Sequence, residues 1–268
     1  MKRKVVIGFF IGTSLLLICL PYLAPNDPLK VDMSARLLNS SHENLLGTDH
    51  LGRDLLSRIL AGAQMTVGTT FIILLISLLI GIPLGLIAGF RGGLVDKVIM
   101  RTVDALLAFP DFIIAIVICG ILGPGMMNLI IAIVFVRWIS YARIIRGTVL
   151  SIKQTDYIAM AQINGLSTFS ILRKHVFPHI IGTTVVYASL DIGKIILLIA
   201  TLSYIGLGVQ PPYAEWGSML NEANAYFYIA PQLMVYPGIA IVIIVLIYNL
   251  IGDALRDSYD VRKSEVSS

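Results

Sequence analysis

Asp191 and Lys194 stand three residues apart inside the apolar run 177–205, and Asp111 opens a second apolar run. Residues three apart on a helix share a face, so this acid and base can neutralise each other. A charged side chain in the middle of a bilayer costs about 2.5–3.5 kcal/mol on insertion scales and turns toward protein or a water-filled cavity. Two readings follow: a lock between helices, or a polar lining of a path through which solute or an ion passes. Asp104 and Asp111 bracket Ala105–Pro110. Asp104 lies within reach of Arg101 or other interfacial cations, while Asp111 lies deeper; the pair serves as a structural ion pair or helix cap, or as a proton or cation site. Arg137, beside Trp138 and Tyr141, reads as an interfacial anchor.

Other chemistry is excluded by motif. The chain has no Gly-x-x-x-x-Gly-Lys-Ser/Thr phosphate loop, no Gly-x-Ser-x-Gly and no His-Glu-x-x-His, so neither ATP hydrolysis nor serine or zinc hydrolysis is expected. His42 and His50 fall in one loop, and His175 and His179 flank Pro178; no metal site is expected. Cys19 and Cys119 both lie in apolar runs and read as packing residues.

The elements that carry these residues are membrane helices. The chain is 57% hydrophobic and 13% charged, with mean hydropathy +0.86, far from the balance of a soluble domain. No charge falls between Arg58 and Arg91, Asp111 and Arg137, Lys194 and Glu215, or Glu222 and Asp253, and each gap holds the roughly 20 apolar residues of a bilayer crossing. Spans are predicted at 5–23, 66–89, 100–122, 127–146, 177–205 and 233–252: an all-α integral membrane protein with six transmembrane helices. Lys2-Arg3-Lys4 before Val5–Leu20 has the look of a secretory signal, but Pro21, Pro25 and Pro28 occupy the place of a cleavage site, and a retained first helix is expected.

Lys and Arg cluster at 2–4, at Arg91, Lys97 and Arg101, at Arg143–Lys174, and at Arg256, Arg262 and Lys263, which places these segments and both termini in the cytoplasm. The same asymmetry accounts for the pI near 9.1, so a nucleic-acid partner is not implied. Residues 1–64 comprise the first helix and an extracellular loop, 65–255 the transmembrane core and 256–268 a cytoplasmic tail. Gly81, Gly85 and Gly89 recur every four residues and line one helix face where another backbone can approach closely.

Between spans four and five lies a polar helix-turn-helix. Asp156 or Thr155 caps a helix over Tyr157–Ile163, Gly165 reverses the chain, Thr168–Lys174 forms a second short helix, and Pro178 opens the fifth span. Tyr157, Ile158, Met160 and Ala161 are apolar anchors suited to a groove on another protein. A DNA-reading role fails because membrane tethers on both sides keep the second helix from a major groove. On the other side, Glu215, Trp216 and Glu222 share a segment with Pro211-Pro212 and several aromatics; it is expected to fold against the bundle and to offer Trp216 as an anchor to a partner protein outside the membrane.

Ala161, Gly165, Ile171, His175 and Pro178 resemble the cytoplasmic coupling loop of ATP-binding-cassette importer permeases. Leu45–Asp54 with Leu55, Ser57, Arg58 and Gly62-Ala63, then Leu202–Pro212, Glu215-Trp-Gly217, Met219-Leu220 and Asn249–Asp257, resemble blocks of the second permease of peptide and nickel importers. Val136–Arg143 and Leu190–Gly193 are most similar to the nickel-transport members. One departure is Ala159, where many members carry Glu, so a salt bridge from that Glu does not carry over.

The resemblance implies a second permease subunit, two ATPase subunits holding ATP and magnesium, an extracellular binding protein, and no cofactor on this chain. It also implies ATPase coupling through Tyr157, Ile158, Met160, Ala161, Gly165 and His175, with nickel, a metal chelate or short peptides as solute. The competing classes are a secondary transporter coupling an ion gradient through Asp111, Asp191 or Lys194, and an intramembrane enzyme.

Overall fold

The computed structural model describes residues 2–259, without the side chains of 2–5, 7, 159, 162, 168 and 169. Lys2, Arg3, Lys4, Arg262 and Lys263, expected as cytoplasmic cations, and the departure at Ala159 therefore lie outside what is described. Among the described residues the regular elements are helices: α1 Lys2–Cys19, α2 Leu55–Arg91, α3 Gly93–Leu107, α4 Asp111–Leu122, α5 Met126–Lys153, α6 Asp156–Ile163, α7 Thr168–Ile171, α8 Phe177–Tyr204, α9 Trp216–Asn224 and α10 Gln232–Tyr259. Four helices are long and apolar enough to cross a membrane, or five if the bent pair α3–α4 counts as one span.

The third expected span is not one helix. It breaks at Ala108–Pro110, and α3 and α4 meet at 89°. Pro110 has no N–H to continue α3 and disfavours helical geometry in the residue before it, while its carbonyl accepts the amides of Ile113 and Ile114 at the start of α4. Gly123, at φ 87°, ends α4. The expected spans 66–89, 127–146 and 233–252 lie within longer helices, and 177–205 coincides with α8 to within one residue. The span 5–23 instead outruns α1, which ends at Cys19 before a 3-10 turn at Leu20–Leu23 that holds Pro21, and which falls short of the length of the four long helices. α2 begins at Leu55 because Asp54 caps it by accepting from the Ser57 amide at 2.9 Å.

Two pairings organise the bundle. Along α2, a Cβ on Gly81 would fall 2.6 Å from the Tyr141 Cβ, one on Gly85 2.6 Å from the Ala142 carbonyl oxygen, and one on Gly89 2.7 Å from the Val149 Cβ. The three glycines thus let the α2 and α5 backbones meet, as their spacing predicts. On the other side α8 packs along α10, where a Cβ on Gly252 would lie 2.7 Å from Leu190 Cδ2. The apolar core joins α2, α5, α8, α9 and α10 through residues such as Ile73, Ile133, Ile196, Met219 and Tyr248. α1 joins it through Ser14, hydrogen-bonded to the Tyr248 hydroxyl at 3.0 Å, and Phe10, edge-on to Phe71 and Tyr248.

Candidate functional site

α6 is two-faced. Ile158 and Ala161 are buried, 1% and 7% exposed, in a small core with Ile145, Val149 and Ile152 of α5 and with Ile171, Val176 and Ile180. Tyr157, Met160 and Ile163 point away, at 43%, 58% and 78% exposure. The expected outward set is corrected accordingly: at 3.6 residues per turn, Ile158 and Ala161 fall opposite Met160 and Ile163, and burial on α5 claims them. Ile163, which the sequence reading passed over, takes their place on the outer face.

The turn after α6 closes by backbone alone. The Leu166 amide donates to the Ala161 carbonyl at 3.1 Å, with Gly165 between them at φ 75°, the arrangement of a Schellman cap. A Cβ on Gly165 would meet nothing within 4 Å, so the demand for glycine is set by the dihedral angle. The Thr155 hydroxyl donates back to the Ile152 carbonyl at 2.6 Å instead of capping α6. His175, in a π-helical turn at Leu172–Val176, lies with its ring centroid 6.0 Å from that of Tyr157.

Inside the bundle the charges pair differently from the expectation. Arg137 Nη1 lies 3.1 Å from Asp191 Oδ1 and 3.5 Å from Asp111 Oδ2, and the Tyr141 hydroxyl donates to Asp191 Oδ2 at 2.9 Å. The Asp191–Lys194 neutralisation is therefore corrected: Asp191 faces α5, while Lys194 is exposed. Arg137 is no interfacial anchor but is 7% exposed. Residues three apart on α8 are still rotated by about 60° from each other, enough to send the short Asp191 inward and the long Lys194 outward. Asp111 occupies the first turn of α4, where the helix dipole favours its charge, with its side chain 37% exposed. Nearer the end of α5, Arg143 pairs with Asp104, and Arg146 grips Asp96 through two bonds of 3.0 and 2.6 Å.

The segment at α9 is built inward. Glu215 is fully buried and caps α9, accepting from the amides of Gly217 and Ser218 at 2.9 and 3.0 Å and from the Thr66 hydroxyl at 3.2 Å. Burial pushes its carboxyl above the usual range, against the pull of those amides. Trp216 is 2% exposed and donates its indole N–H to the Ile59 carbonyl at 3.0 Å. Glu222 binds Arg53 at 2.7 Å and Arg58 at 3.1 Å, and both arginines also reach Asp49. The expected docking role of Glu215 and Trp216 is thus corrected: both hold α9 to α2, and neither offers its side chain to a partner.

This network brings Asp49, His50 and Glu222 together, with ligand-type atoms all within 4.8 Å of one another, a juxtaposition hidden by the sequence distance between His50 and Glu222. The donor set suits a divalent ion in type. Its charge does not, because the two carboxylates already neutralise two guanidiniums whose side chains are each 1% exposed. The cluster is a clasp between the loop at 24–54 and α9.

Residues 81–265 match the family described as "Binding-protein-dependent transport system inner membrane component". The chain is 40% identical over 236 residues to the nickel transport system permease protein NikC of Escherichia coli, covering 88% of this chain and 85% of that one. It is 42% identical over 220 residues to the glutathione transport system permease protein GsiD of Pectobacterium atrosepticum, covering 82% and 73%. It is 37% identical over 261 residues to the dipeptide transport system permease protein DppC of Alkalihalophilus pseudofirmus, covering 97% and 86%. The inward-facing MetNI methionine ABC transporter shares the fold, with TM-score 0.60, 20% identity, and coverage of 75% of this chain and 95% of that chain. A helical bundle joined by small-residue contacts, with a two-faced helix-turn-helix at the end of its longest packing pair, thus agrees with relatives that are named as permeases, and the chain belongs to the binding-protein-dependent transport system inner membrane component family, as a multi-pass transport permease and not an enzyme.

Proposed function

We propose that the chain is one of two permease subunits of an ATP-driven importer, coupled to its ATPases through the outer face of α6. The supporting observation is the division of α6 into a buried side, Ile158 and Ala161, that ties it to α5 and α8, and an exposed apolar side, Tyr157, Met160 and Ile163, on which Tyr157 meets the rings of His175 and His179 and remains 43% exposed. A rigidly seated helix transmits a push; an exposed apolar face of this size fits a groove. In this reading α6–α7 is cytoplasmic, α1 supplies a sixth span, both termini are cytoplasmic, and ATP and magnesium reside on the ATPase subunits.

Relatives named for nickel, glutathione and dipeptide transport support a solute that is nickel, carried bare or as a chelate, or a short peptide, and the family's description supports its delivery by an extracellular binding protein. Asp111, half-buried, and Lys194, exposed, line the path, and Asp191 fixes Arg137 beside it.

Met160→Asp tests the coupling face. It places a charge on a surface that must be desolvated, with an expected cost of about 2 kcal/mol or more, roughly thirtyfold in ATPase affinity. The variant inserts and docks the binding protein but does not retain its ATPases on purification. Full ATPase retention with normal uptake would remove α6 from the interface.

A further inference from the structure

α3 is amphipathic, and its placement is fixed by two independent observations. The first is its 89° angle to α4. After Asp111, α4 carries no charged residue and exposes Ile113, Val117 and Ile121 at 50%, 53% and 79%, as a helix facing acyl chains does. The second is its pairing with α5. Asp96 and Asp104 are separated by about 12 Å of helix rise, yet their partners Arg146 and Arg143 are separated by about 4.5 Å. α3 therefore crosses α5 instead of running beside it. If α5 crosses the bilayer and the 12-residue α4, too short to cross it alone, enters it from the surface, α3 lies in the plane of that surface.

The charges of α3 are unequally used. Its acids are taken by α5, Asp96 by Arg146 and Asp104 by Arg143. Lys97 and Arg101 are exposed and form no ion pair among the described residues, and neither does the exposed Arg91 at the end of α2. Leu94 and Val98 are 77% and 59% exposed, and with Lys97 and Arg101 they occupy an arc of about 100° on α3. The opposite side is filled, with Val103 buried against Ile139 and Ala142 beside Met100 and Leu107. An exposed apolar strip edged by cations, on a helix lying in the plane of a bilayer surface, has the composition of an interfacial helix.

We propose that the outward face of α3 is a binding site for anionic lipid headgroups, with Leu94 and Val98 dipping into the acyl boundary and Lys97, Arg101 and Arg91 taking the phosphates. The occupant is lipid and not an acidic protein because the apolar strip and the cations share one face turned to the membrane plane. The consequence is mechanical: a lipid-held α3 fixes one arm of the elbow at Pro110, whose other arm begins with Asp111 at Arg137. The proposal rests on the reading that α5 crosses the bilayer and α4 enters it, and is independent of solute and ATPase.

The assembled importer, reconstituted in phosphatidylcholine vesicles containing a minority of phosphatidylglycerol, is photolabelled with either lipid carrying a headgroup-proximal diazirine. A third label, at the acyl-chain end, is expected on α4 and checks the membrane reading by itself. Phosphatidylglycerol labels α3 several-fold more than phosphatidylcholine, and Lys97→Gln with Arg101→Gln brings the two labels close to equal, while Lys97→Arg keeps the preference. Equal labelling of α3 by the two headgroups, with α4 still labelled by the acyl probe, overturns the headgroup site alone. Cross-linking of Leu94→Cys to a protein subunit in place of lipid overturns it in favour of a subunit interface. Absence of acyl label from α4 overturns the membrane placement beneath both.

Discussion

Arg137 shows how one side chain can hold two helices against a third. Its guanidinium reaches Asp191 on α8 and Asp111 at the start of α4, and Tyr141 takes the remaining oxygen of Asp191. A buried pair of this kind contributes little net stability, but removing one partner leaves an uncompensated charge. Arg137→Ala is expected to destabilise the permease by about 3–5 kcal/mol, read as a fall in the detergent unfolding midpoint. Asp191→Asn in the same background restores much of the loss, since the orphaned carboxylate is then gone. If the single variant unfolds at the wild-type temperature, the cluster does not hold the bundle.

At the scale of the element, the α6–α7 hairpin depends on one dihedral angle. Gly165 sits at φ 75° with open space where a side chain would be. Asn tolerates that angle, whereas a β-branched residue pays about 1–2 kcal/mol or more. Gly165→Asn is expected to support near-normal uptake, and Gly165→Val to lose most of it at unchanged expression, because no apolar span is altered. Equal behaviour of the two variants in a vesicle uptake assay would detach the turn from coupling. The α2–α5 contact follows a different rule: there glycine is demanded by space, with less than 3.0 Å left for a Cβ at Gly81, Gly85 and Gly89.

The whole molecule is closed at the loop end by the clasp of Asp49, Arg53, Arg58 and Glu222, with His50 stacked on Tyr226 at 5.1 Å beside it. Burial lowers the pKa of His50 below its ordinary 6.5; Asp49 and Glu222 oppose that shift, and Arg53 and Arg58 add to it. The closed form therefore binds fewer protons than the open one. The contribution of neutral His50 is complete above about pH 6.5 and is lost as pH falls through the lowered value. Proteolysis of the loop at 24–54 is expected to quicken on acidification below about pH 6, and His50→Gln to flatten that dependence. A wild-type rate that does not vary with pH would separate His50 from the clasp.

Composition and local pattern by themselves determined that this is a helical membrane protein, where most of its spans lie, that Gly81, Gly85 and Gly89 face another helix, and that Gly165 turns the chain. Each of these depends on neighbours within a few residues or on the cost of exposing backbone in lipid, quantities that a linear sequence carries. The family resemblance rested on the same local blocks. Only the tertiary structure decided which charge meets which: Asp191 with Arg137 and not Lys194, Asp104 with Arg143 and not Arg101, and Glu222 with Arg53 and Arg58. It also turned Ile158, Glu215 and Trp216 inward. A charged or apolar side chain has several candidates within reach along the chain, and its partner is fixed by which helix faces pack together and exclude water, information that resides in contacts between residues far apart in sequence.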